Sequence, residues 1–157
     1  MSRTFTRGEV LPSTAAVTTR LGTSGSANNY SDVDIGKFVK VTADSAHGLC
    51  AAGDRIEGYI TSVEAATAAG FSIGGVQQWD SKFVTCDGLQ ATPGTGTIAV
   101  GDYLVCGTVV ARGTALAEPA RVCKATSQAL ALFMWRVVGF KTGSGAVGSV
   151  ALMERVC

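Results

Sequence analysis

Two Gly-Asp pairs punctuate the chain, and each leads into a β-prone run. The first closes Leu49-Cys50-Ala51-Ala52-Gly53-Asp54 and precedes Arg55-Ile56-Glu57-Gly58-Tyr59-Ile60. The second closes Ile98-Ala99-Val100-Gly101-Asp102 and precedes Tyr103-Leu104-Val105-Cys106-Gly107-Thr108-Val109-Val110. Gly enters turn conformations that other residues resist, and Asp bonds its own backbone two residues on. A Gly-Asp step between apolar runs therefore reads as a tight corner between strands. A chain built on such corners folds into short strands, not long helices.

The rest of the sequence keeps that rhythm. Strands are expected over residues 37–42, 55–64, 71–79, 82–86, 103–112 and 121–124. Residues 134–141 and 148–157 read as a closing hairpin around Thr142-Gly143-Ser144-Gly145. The paired Gly74-Gly75 suggests a β-bulge. Helix signals reach one or two turns at most, over 64–69 and 127–132. The fold class is all-β: a small β-barrel or β-sandwich with an extended N-terminal arm. Residues 1–29 are rich in Ser, Thr and Ala and read as that arm, with room for one added strand over 15–20. Residues 30–157 form a single β-rich domain. Within the arm, Val10, Leu11 and Val17 are expected to bury area on a neighbour. Arg3, Arg7 and Arg20 are expected to set its register there.

A length of 157 residues fits one domain, and 46% hydrophobic residues supply a core. Charged residues make up only 16%, against about 25% in a typical chain. The surface is therefore unusually neutral: part of it faces another protein, or Thr, Ser and Gly dominate it. A net charge of +1 gives no case for nucleic acid. Residues 21–102 are net acidic and 103–157 net basic, which would serve docking unless the segments interleave. The five cysteines are odd in number, show no C-x-x-C spacing, and several sit in apolar runs. That pattern suggests buried free thiols and a reducing compartment. The first residues lack the apolar stretch of a signal peptide. The longest apolar run, 129–135, is far short of the ~20 residues of a spanning helix.

Candidate chemical motifs lack the surroundings they need. Gly143-Ser144-Gly145-Ala146-Val147-Gly148 matches G-x-G-x-x-G but has no following helix, strand and acid. Gly70-Phe71-Ser72-Ile73-Gly74 matches G-x-S-x-G, yet the single histidine, His47, precedes the serine. A chymotrypsin-like order, His47, Asp54, Ser72, is formally present but crowded into one short stretch. His47 and Cys50 lack further metal ligands, and His47 reads as a loop residue. Asp32 and Asp34 read as a capped turn feeding the Lys37 strand, not a cation loop. Trp79 and Trp135 sit in contexts too apolar for base stacking. No catalytic, cofactor or metal residues are expected.

Several segments taken together resemble the small capsid decoration, or cement, proteins of tailed bacteriophages. They are Asp34-Ile35-Gly36-Lys37-Phe38-Val39-Lys40, then Leu49 to Ile60, then Val100-Gly101-Asp102-Tyr103-Leu104. Trp135-Arg136-Val137-Val138-Gly139-Phe140 and Gly148-Ser149-Val150-Ala151-Leu152 complete the set. The resemblance covers residues 30–157. It implies a β-barrel or β-sandwich, made in the host cytoplasm, on the outer surface of the phage head. The partners it implies are the major capsid protein and further copies of the chain, as a dimer or trimer, with no membrane or nucleic acid. It implies no enzyme activity and no cofactor. A tail or head-completion subunit, or a non-viral β-barrel binding module, remains the alternative.

Overall fold

The computed structural model describes residues 16–22, 29–42, 46–64, 71–78, 80–127 and 134–156. Within them the protein is all-β. The strands are β1 (Ala16–Leu21), β2 (Phe38–Val41), β3 (His47–Leu49), β4 (Gly58–Glu64), β5 (Ser72–Gln77) and β6 (Ser81–Leu89). They continue as β7 (Thr92–Pro93), β8 (Tyr103–Cys106), β9 (Arg121–Lys124), β10 (Met134–Thr142) and β11 (Val150–Val156). A single 3₁₀ turn, Asp32–Asp34, precedes β2.

The strands form two closed rings with one topology. In the first, β1-β3-β2-β4-β5 closes through the β1–β5 pairing. In the second, β6-β9-β8-β10-β11 closes through β11–β6, and the two-residue β7 hangs on β6. Each ring has one parallel pair, β1 with β3 and β6 with β9; all other pairs are antiparallel.

The likeness extends to register. Val39 opposes Gly58 and Leu49, as Leu104 opposes Trp135 and Lys124. Leu21 faces His47, as Cys86 faces Val122. Both long hairpins slip by one residue at the same point, between Ile60 and Ser62 and between Val137 and Gly139. Loop bonds repeat as well: Cys50 N–H donates to the Phe38 carbonyl at 3.0 Å, and Ala125 N–H to the Tyr103 carbonyl at 2.8 Å. The chain is a tandem repeat of one barrel.

The barrels share a core. Phe38, Cys50 and Ile56 of the first pack in one cluster with Val84, Leu104, Val122, Trp135, Val137 and Met153 of the second. Leu21, Tyr30, Val39, Ile60 and Val76 fill the first barrel itself. Polar bonds cross the seam: the Trp135 indole donates to the Ile56 carbonyl at 3.2 Å. Arg155 Nη1 donates to the carbonyls of Glu57 and Gln78, each at 2.8 Å.

Four expectations need correction. The folded body does not start at Tyr30: β1 places Ala16–Leu21 in the barrel wall, paired along its length with β5. Leu21 is fully buried, which accounts for the pairing. His47 lies in β3, not in a loop, because its backbone continues the ladder opposite Val41. The bulge falls on β4 at Thr61, not at Gly74-Gly75. Those glycines are the flat partner: a Cβ on Gly74 would meet Leu21 Cδ1 and the Ser62 carbonyl at 2.5 Å. The run beginning at Tyr103 ends as a strand at Cys106: Gly107 N–H still bonds the carbonyl of Arg121 on β9, but Thr108 N–H turns to the Asp87 carboxylate and the chain leaves the sheet there. The helix signals over 65–69 and 128–132 lie outside the described residues.

Candidate functional site

The barrels differ most where β2 meets β3. In the first barrel that connection is short, residues 42–46; in the second it runs through 107–120. The longer loop crosses the seam and is tied to the first barrel by a buried ion pair. Asp34 is fully buried and Lys37 nearly so, with Lys37 Nζ 2.6 Å from Asp34 Oδ1. Lys37 Nζ also donates to the Ala111 carbonyl at 2.6 Å, and Gly113 N–H donates to Asp34 Oδ1 at 2.8 Å. Ser31 N–H donates to Asp34 Oδ2 at 3.0 Å, closing the capped turn expected from the sequence. Burial pushes the Asp34 carboxyl up, but Lys37 and the two backbone N–H donors outweigh it and hold the group below its ordinary range.

The loop's other root is fixed by Asp87. Its Oδ2 accepts the Thr108 N–H at 2.7 Å and the Thr108 hydroxyl at 2.6 Å, and Arg121 Nη1 reaches Oδ1 at 3.1 Å. Burial again raises this carboxyl, and the Thr108 and Arg121 bonds more than reverse it. Thus two buried carboxylates, Asp34 of the first barrel and Asp87 of the second, both hold the inserted loop.

Between loop and first barrel lies a partly open cavity of about 500 Å³. Phe38, Leu49, Cys50, Cys106, Val109 and Leu116 give it an apolar wall; Lys37, Thr108, Glu118 and Arg121 add polar groups. Its volume is that of a small-molecule or side-chain pocket. Cys50 and Cys106 both line it, Cys50 Sγ lies 3.6 Å from the Arg55 carbonyl, and the neighbouring Cys106 thiol together with burial pushes the Cys50 thiol up. Cys86 and Cys123 are also free and buried; burial pushes the Cys123 thiol up to about 11.

The motif residues are engaged separately. His47 is buried inside the first barrel, with Nδ1 3.1 Å from Thr19 Oγ1. Burial lowers its pKa, opposed by the more distant Glu57 carboxylate. Ser72 Oγ accepts the Tyr30 N–H at 2.9 Å. Asp54 accepts the Ala51 N–H at 2.6 Å and pairs with Lys40. The Gly143–Gly148 loop closes the β10–β11 hairpin, with the Ile98 N–H donating to the Gly145 carbonyl at 2.9 Å. Among the described residues no cluster of three His, Cys, Asp or Glu could hold a metal ion. No described helix is long and apolar enough to cross a membrane.

Of the expected interface residues, Arg3, Arg7, Val10 and Leu11 lie outside the described residues. Val17 is 45% exposed on β1, and Arg20 lies over the Phe71 ring at 5.6 Å. The inserted loop and the Asp34–Lys37 pair were not anticipated. The available signal was the Asp-x-x-Lys spacing, which also suits an ordinary solvated turn. Comparison with protein-family models, curated proteins and solved structures finds no match to the chain.

Proposed function

We propose that the protein is a structural component of a tailed-bacteriophage virion, a decoration protein that binds the outside of the major capsid lattice and stabilises the expanded head. One observation carries this reading beyond the sequence resemblance: the chain is a doubled barrel whose halves are joined by buried charged groups, Asp34 and Lys37 bonding Gly113 and Ala111, and Arg155 bonding the carbonyls of Glu57 and Gln78. The resembling segments fall on the frame of both barrels, at Gly36-Lys37 and at Gly101-Asp102. Both turns carry an exposed aliphatic residue, Ile35 at 41% and Val100 at 61%. Two like surfaces on one rigid body suit a partner that is itself repeated, where weak contacts add by multivalency. A protein that binds only the expanded lattice lowers the free energy of that state.

The test is co-sedimentation of the purified chain with expanded and unexpanded heads, followed by electron microscopy. The expected result is saturable binding to expanded heads and a higher temperature for their disruption. Failure to bind either form, or a single ring at a vertex or tail, would replace this reading with one of the alternatives.

A further inference from the structure

We propose that Cys50 and Cys106 form a dithiol that low-molecular-weight disulfides convert into a covalent staple between the two barrels. The residues come from different repeats. Cys50 follows β3 of the first, and Cys106 ends β8 of the second. Their equivalents in the opposite repeat are Ala125 and Val41, so the pair exists only because the barrels are fused.

Backbone bonds hold the two segments together. Gly53 N–H donates to the Cys106 carbonyl at 2.7 Å, and Cys106 N–H donates to the Asp54 carbonyl at 2.9 Å. Both side chains are buried in the same hydrophobic cluster, Cys50 at 2% and Cys106 at 4% exposure, and Cys50 Sγ lies 3.6 Å from the Arg55 carbonyl, a bond that linkage would replace. Both line the inter-barrel cavity, whereas Cys86 and Cys123 do not. The cavity thus gives a reagent a route to this pair.

The chemistry is ordinary thiol–disulfide exchange. One protein thiol loses its proton and attacks a sulfur of the small disulfide, breaking the S–S bond and releasing one small thiol. The second protein thiol then attacks the protein-bound sulfur of the mixed disulfide and expels the second small thiol. The protein loses two hydrogens and two electrons, which the reagent gains. Burial of Cys50 makes the first step slow at neutral pH and faster as pH rises.

The test treats the full chain, carrying Cys157→Ser, with oxidised glutathione under native conditions. Alkylation and mass spectrometry without reductant follow. The expected result is loss of two hydrogens, a linked peptide pair containing Cys50 and Cys106, and reversal by dithiothreitol. Tm should rise by roughly 5–10 °C on linkage. Cys50→Ala and Cys106→Ala should each abolish the product, while Cys86→Ala should not. A lasting glutathione adduct on one cysteine would overturn the proposal. So would linkage of another pair, or native inertness when the unfolded chain reacts. Mapping on the parent protein decides the matter even if a variant fails to fold. The outcome is independent of the capsid reading.

Discussion

Gly36 and Gly101 make the same hydrogen bond in two different barrels. Gly36 N–H donates to the Ile60 carbonyl and Gly101 N–H to the Val137 carbonyl, each at 2.8 Å. Both glycines have φ of +91°. The next residue returns the bond in each case: Ile60 N–H to the Lys37 carbonyl and Val137 N–H to the Asp102 carbonyl, each at 3.0 Å.

Equivalent turns should carry equivalent costs. Gly36→Ala and Gly101→Ala should each lose about 1–2 kcal/mol, the strain of a left-handed L-residue. At Gly101 a Cβ meets nothing; at Gly36 it meets the flexible tip of Leu116 at 3.3 Å. Urea denaturation of both variants checks this. A loss several times larger at one site would show that the turns are not interchangeable.

The seam ion pair should behave as a buried pair. Lys37→Met leaves the Asp34 carboxylate uncompensated and should cost about 3–5 kcal/mol. Adding Asp34→Asn removes the stranded charge and should recover part of that loss. If the double variant is no better than Lys37→Met, the lysine's bond to Ala111 matters more than the charge pairing.

Acid should weaken the fold in two stages. His47 has a folded pKa below its ordinary ~6.5. Below that value the unfolded chain takes a proton that the folded chain refuses, so stability falls as pH drops. The folded pKa values of Asp34 and Asp87 are also depressed. Their stabilisation is complete above the ordinary carboxylate value of about 3.9 and is lost as pH falls further. The second barrel suggests a variant that separates the stages. Val84 and Val122 stand where the first barrel has Thr19 and His47. Thr19→Val with His47→Val should be near neutral at pH 8 and should flatten only the first stage. Tm measured from pH 3 to pH 8 would show it.

The position of β1 sets where the chain can be shortened. Deleting residues 1–15 removes none of the β1–β5 ladder and should leave a cooperatively folded protein. Deleting 1–21 removes that ladder and Leu21, whose core contribution alone is about 2–5 kcal/mol. The longer truncation should fail to fold. Circular dichroism and thermal melting of the two proteins distinguish the cases.

Many strand positions were legible because a Gly or Gly-Asp step stands beside them, as Gly36 does before β2, Gly101-Asp102 before β8 and Gly148 before β11. Both Asp side chains of those steps do accept a backbone N–H, from Ala51 and from Ala99. The bond reaches three residues back, not two forward. The repeat was not legible. Only small signatures survive at equivalent positions: Gly36 with Gly101, Phe38 with Tyr103, Ser72 with Ser149. Buried positions were refilled with different chemistry, Gly58 against Trp135 and His47 against Val122. β3 was missed because three residues with a histidine and a glycine carry almost no periodicity. Nor could local pattern show that Asp34 is buried, since the loop that covers it comes from the other barrel.

Repeat proteins are generally divisible, since each unit leans only on its neighbour's face. This pair is not. A cut after Gln78 would strand the Trp135 indole and Arg155 guanidinium of one fragment without the carbonyls of Ile56, Glu57 and Gln78 on the other. Either fragment alone would have its half of a common interior open to water. The duplication has produced a single cooperative unit, and a partner that grips one barrel thereby holds both.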